Sequence, residues 1–113
     1  MDPNSTLFDL PAAVTVCDTN GILIDMNAAA EALFAKDGGR ALLGKNLFDC
    51  HSPASQEIIR NLMRDRKSNV YSTEKRGKKR LIYQAPWYRD GEFAGLVEIS
   101  FEIPPSIPNF KRD

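Results

Sequence analysis

Val14-Thr15-Val16-Cys17-Asp18-Thr19-Asn20-Gly21-Ile22-Leu23-Ile24-Asp25-Met26-Asn27-Ala28-Ala29-Ala30 reads as strand, turn, strand and capped helix. Val14 and Val16 alternate with smaller or polar neighbours. Beyond Asn20-Gly21, Ile22, Ile24 and Met26 repeat the two-residue period of a half-buried strand. Asn-Gly accepts the positive φ values that a tight hairpin turn demands. Asn27 stands directly before Ala28-Ala29-Ala30-Glu31-Ala32-Leu33-Phe34, where its side-chain oxygen can accept from the orphan N–H groups of a helix start. This helix is expected to stop near Gly38-Gly39. Its alanines let it lie close to a sheet, and Leu33 and Phe34 are expected to add core bulk.

Towards the carboxyl terminus, Leu42, Leu43, Leu47 and Phe48 surround Gly44 too irregularly for a long helix and predict a short apolar turn. Ser52-Pro53 is a helix start, a hydroxyl at the cap followed by a proline whose missing N–H costs nothing there. Ile58, Ile59, Leu62 and Met63 then form an apolar stripe opposed by Glu57, Arg60, Arg64 and Asp65, so one face is buried. Val70–Glu74, Arg80–Tyr88 and Phe93–Ile103 read as strands, separated by Arg76-Gly77-Lys78-Lys79 and by Arg89-Asp90-Gly91-Glu92. In the last strand Phe93, Gly95, Val97, Ile99, Phe101 and Ile103 share one face, expected to be the core, and Glu98, Ser100 and Glu102 the other. Pro104-Pro105-Ser106-Ile107-Pro108 ends the sheet, because proline cannot donate to a ladder. The order predicts an α+β fold, an antiparallel sheet covered on one side by helices, with a cleft between them suited to a small molecule.

The length of 113 residues and a hydrophobic content of 42% fit one core. Lys+Arg and Asp+Glu balance at 15 each, so no global field draws the chain to nucleic acid or an anionic membrane. No apolar run reaches membrane-spanning length, and residues 1–6 lack the pattern of an export signal, so a cytoplasmic protein is expected. Cys17 and Cys50 are expected to be reduced thiols, and with His51 they are too few to close a zinc site unaided. Lys75-Arg76-Gly77-Lys78-Lys79-Arg80 is expected to be a solvated hairpin tip rather than a nucleic-acid contact.

The ordered set Asp18, Gly21, Ile22, Asn27, Leu43-Gly44, Asp90-Gly91 and Gly95 resembles the PAS sensory-domain family. The resemblance implies a five-stranded antiparallel sheet with short helices and one longer helix on one face. It places a PAS-like domain at 13–103, preceded by a segment 1–12 suited to dimer contact and followed by a proline-rich tail 104–113. It further implies a sensory and signal-transduction role, with a small ligand or a partner bound and the signal passed by a dimer or a conformational change. The effector is then a histidine kinase or a transcription regulator, on a separate chain or on one from which this domain was excised.

Light sensors of the family place a reactive cysteine directly after the asparagine of a glycine-x-asparagine step. Gly44-Lys45-Asn46 is followed by Leu47, which argues against a flavin-cysteinyl adduct. Haem-binding members use a histidine on or near the long helix, and His51 stands just before it. The alternative is a structural histidine whose ring bonds a backbone group. Candidate ligand-binding residues are His51 and Cys50 at the pocket mouth, Ile59 and Met63 on the long helix, and Trp87, Val97 and Ile99 from the sheet. The aliphatic ones have a plain core-packing explanation as well. Arg80, Tyr83, Gln84 and Tyr88 are further polar candidates, of which only the half facing the cleft can take part. Catalysis is not expected, since adjacent Cys50 and His51 rarely reach each other and no third group orients them. A third reading is a ligand-free homodimerisation module using Leu7, Phe8, Leu10 and the outer sheet face.

Overall fold

In a computed structural model, residues 8–113 are described, Cys50 by its backbone alone. Strand β1 (Ala13–Cys17) pairs antiparallel with β2 (Leu23–Met26), Thr15 opposite Met26 and Cys17 opposite Leu23. The turn differs in detail from a two-residue Asn-Gly hairpin. Gly21 alone takes positive φ, at 81°, and the Asp18 carboxylate accepts from Asn20 N–H (2.9 Å) and Ile22 N–H (3.0 Å) to hold a longer loop. A bulge between Val16 and Cys17 breaks the two-residue period, which leaves Ile24 46% exposed while Met26 is 1% exposed.

Helix α1 (Ala28–Leu33) starts at Asn27, whose Oδ1 accepts from Ala30 N–H at 2.9 Å. It ends sooner than the run of residues up to Gly38-Gly39 suggested, giving way to two short 3₁₀ turns, Ala35–Asp37 and Gly39–Leu42. Leu33 is consequently exposed, and Phe34 packs with Leu42 and Leu43 on the Ala13, Met26 and Ala30 cluster. A third 3₁₀ turn, Leu47–Cys50, leads into helix α2 (Pro53–Asp65), capped by Ser52 Oγ on Ser55 N–H at 3.3 Å. Ile59 and Met63 of α2 are buried against Cys17 and Leu96, with Leu62 partly buried beside them, while Ile58 faces solvent.

Strands β3 (Asn69–Lys75), β4 (Lys78–Arg89) and β5 (Glu92–Ile103) complete a five-stranded sheet in the order β2-β1-β5-β4-β3. Both hairpins close on two residues of positive φ, Arg76-Gly77 and Asp90-Gly91, the primed-turn conformation that matches strand twist. At the basic hairpin, Lys78 lies 3.8 Å from Glu102 and Lys79 3.9 Å from Glu74, so its charge is partly compensated within the sheet.

One expectation is overturned. The face of β5 that covers the core carries Leu96, Glu98 and Ser100, in register with Cys17, Thr15 and Ala13 of β1. Val97, Ile99 and Phe101 lie on the other face with Val14, Val16 and Tyr83. Alternation shows that a strand has two unlike faces, and the helices, which it does not report, determine which one is covered.

Candidate functional site

Between the inner face of the sheet and the helical connection lies a cavity of about 500 Å³. Cys17, Leu23, Met26, Phe34, Leu42, Leu47, Ile59 and Leu96 give it apolar walls, and Thr15, Gln84 and Glu98 give it a polar floor. Asp37, Lys45 and His51 line its mouth and are exposed to solvent.

The floor is one lateral row across four strands. Register places Thr15 beside Glu98, Glu98 beside Gln84 and Gln84 beside Asn69, and all four side chains share the inner face. Asn69 Nδ2 donates to Gln84 Oε1 at 3.0 Å, and Gln84 Nε2 donates to Glu98 Oε1 at 2.9 Å. Gln84 is buried, so both ends of its amide are satisfied and its orientation is fixed. Beyond the cavity, Arg80 Nη2 reaches the carbonyl oxygen and hydroxyl of buried Ser100, both at 3.0 Å.

At the mouth, the His51 ring Nδ1 lies 2.6 Å from the Leu47 carbonyl oxygen. A carbonyl only accepts, so Nδ1 carries a proton, and in the neutral ring Nε2 then keeps its lone pair. Gln56 Nε2 donates to the carbonyls of Phe48 (2.7 Å) and His51 (2.9 Å), which ties this wall of the mouth to α2. Burial pushes the Cys17 thiol up from its ordinary value of 9.0; a backbone hydrogen bond from Leu96 opposes this, and Asp18 and Glu98 add to it. The Tyr71 phenol, on the same inner face, is likewise raised by burial and by the Glu98 charge.

Of the candidates drawn from sequence, His51 and Ile59 line the cavity. Met63 packs in the core beneath α2 with Cys17 and Leu96. Val97 and Ile99 point to the opposite sheet face, and Trp87 donates its Nε1 to the Cys17 carbonyl at 3.0 Å, outside the cavity lining. The Cys50 side chain lies outside the described part of the structure. Gln84, a conditional candidate, is confirmed as inward-facing, whereas Thr15, Cys17, Leu96 and Glu98 went unrecognised. Their common signal is register, since Thr15 stands opposite Glu98 and Cys17 opposite Leu96 on the inner face. Among the described residues, no group of three His, Cys, Asp or Glu is placed to hold a metal ion.

Glycine is required at position 95. It adopts φ 141°, and a Cβ there would stand 1.9 Å from the Cys17 carbonyl oxygen, the same oxygen that Trp87 uses. Gly21 is also confined, since a Cβ would meet the Phe48 ring at 2.6 Å.

A sheet of this order, helices on one face and a cavity between them define an α+β domain with a ligand-sized cleft. A family model described as the PAS fold matches residues 7–103, and the chain belongs to that family. Comparison with curated proteins finds no match. Among solved structures, the C-terminal domain of a Streptococcus mutans protein is 24% identical, with a TM-score of 0.68 over 88% of this chain and 81% of that one. A sensory box sensor histidine kinase from Vibrio cholerae gives 16%, 0.62, 87% and 86% in the same terms. The Aer2 receptor of Vibrio cholerae, a dual PAS-haem oxygen sensor, gives 21%, 0.60, 82% and 95%. At these identities the likeness is one of fold. Among the described residues, no helix is long and apolar enough to cross a membrane.

Proposed function

We propose that this chain is a non-catalytic PAS sensory domain that binds a small organic molecule in the cavity between sheet and helices and passes the signal to an effector. The observation that carries this reading is the Asn69–Gln84–Glu98 row under an apolar-walled cavity. Burying polar side chains in an ordered row costs folding free energy, and a cavity floor that presents them to a ligand gives that cost a use. A ligand that favours one position of α2 or of the 47–51 turn shifts the equilibrium by its differential affinity for the two states. A histidine kinase is the effector most in keeping with the similar sensor-kinase domain, and a transcription regulator is the other class.

The test is a melting-temperature screen of polar metabolites, with hits measured by calorimetry on the wild type, Thr15→Val and Gln84→Leu. The reading requires a one-site ligand that both substitutions weaken. Absence of any hit, or hits indifferent to both substitutions, would overturn it.

Haem is the second reading, favoured by one observation: His51 lines the cavity with Nε2 free to ligate. The floor fits a porphyrin poorly, because Glu98 and Gln84 would lie against its apolar body. A Soret band after haem addition that moves in His51→Ala would establish haem. A featureless spectrum would remove it.

A further inference from the structure

Glu98 is half-buried and uses one oxygen, Oε1, to accept from Gln84. Its other oxygen has no hydrogen-bond or ion-pair partner among the described residues. Gln84 donates to Oε1 alone, and its amide oxygen is held by Asn69 Nδ2. The cavity therefore presents a carboxylate oxygen with open acceptor capacity, in a setting where apolar walls weaken screening. Lys45, Asp37 and His51 also line the cavity, but all three are exposed at the mouth, where water and salt screen them.

Resting on the ligand-cavity reading above, we propose that the molecule bound is an organic cation: an amine or protonated nitrogen heterocycle on an apolar body, its N–H on the free oxygen of Glu98. Charge-assisted N–H to carboxylate bonds are shorter and stronger than neutral ones, so the floor ranks ligands by their donor.

Three probes of similar shape separate the cases: 2-phenylethylamine, 2-phenylethanol and 3-phenylpropionate, each measured by calorimetry and by the shift of the Gln84 side-chain amide resonance. The amine should bind about tenfold or more tighter than the alcohol, the worth of one charge-assisted hydrogen bond. In Glu98→Gln, which keeps an acceptor for Gln84 and replaces the open oxygen by an N–H donor, that advantage should vanish and the ranking move to the alcohol or carboxylate. A wild-type protein that takes the alcohol or carboxylate as well as the amine overturns the inference and leaves the cavity reading standing. Amine binding unchanged in Glu98→Gln also overturns it. If no probe moves the cavity resonances, the cation inference falls, and the cavity reading is decided by the metabolite screen. The wild-type ranking decides alone should Glu98→Gln not fold.

Discussion

Asn27 joins three parts of the chain. Its Oδ1 accepts from Val14 N–H and Ala30 N–H, both at 2.9 Å, and its Nδ2 donates to the carbonyls of Phe8 (2.8 Å) and Ala12 (2.7 Å). Asn27→Ala strands these buried groups at once and should cost about 3 kcal/mol or more in urea unfolding, while a loss below about 1 kcal/mol would show that another group substitutes. The helix cap was legible in the sequence, because asparagine before an alanine run has few other uses. The clasp on residues 8–12 was not, since a hydrogen bond across fifteen or more positions leaves no local pattern. A pH effect also belongs at this scale. The Cys17 thiol ionises at 9.0 when unfolded and higher when folded, so the folded state binds the proton more tightly. Its contribution is whole below pH 9 and is lost as pH rises through the folded value. Stability should thus fall above about pH 9 in denaturant titrations, and Cys17→Ala should flatten the first part of that fall. Tyr71, raised from 10.0, keeps a slope at higher pH. A pH-independent wild type through this range would contradict the burial of Cys17.

At the scale of elements, α2 matters as the roof of the cavity. Ser52 caps it and Gln56 clamps it to the 47–51 turn, so its first turn is the point of attachment between roof and mouth. Gln56→Leu removes two bonds to carbonyls and should speed amide exchange selectively at residues 47–51, with β4 and β5 unchanged in hydrogen-exchange mass spectrometry. Uniform acceleration throughout the chain would mean that α2 contributes to global stability and has no separate hold on the mouth. Helix α2 was readable because Ser-Pro and a four-residue apolar stripe are both local signals. The faces of β5 were not. Its more apolar face, with Val97, Ile99 and Phe101, is turned away from the helices, and its mixed face lines the cavity. A ligand-binding strand sets polar residues where packing alone would set aliphatic ones, and the sequence pattern then points to the wrong side.

For the molecule as a whole, the outward face leaves Tyr83 38% and Phe101 40% exposed. Aromatic surface of this kind is stabilised when a second copy covers it, at about 25 cal/mol per Å² before the costs of association. Homodimerisation through this face is accordingly expected, with half-buried Phe8 and Leu10 nearby in sequence to β1 and Leu7 outside the described residues. Sedimentation should give a dimer that Phe101→Glu converts to monomer with its melting temperature largely kept. A wild-type monomer at high micromolar concentration would refute this. Domain class and the succession of elements along the chain were legible because turn glycines, caps and periodicity agree with one another. The cavity was visible only in outline, since its floor is assembled by register between strands distant in sequence.

The account stands on the inner face of the sheet as the ligand-binding surface. The most direct measurement is a heteronuclear NMR titration of the wild-type protein with 2-phenylethylamine, reading every assigned amide and side-chain resonance. The account predicts saturable shifts gathered at Thr15, Ile59, Gln84, Leu96 and Glu98. Shifts gathered instead at Val97, Ile99 and Phe101, or no saturable shift at all, would contradict it.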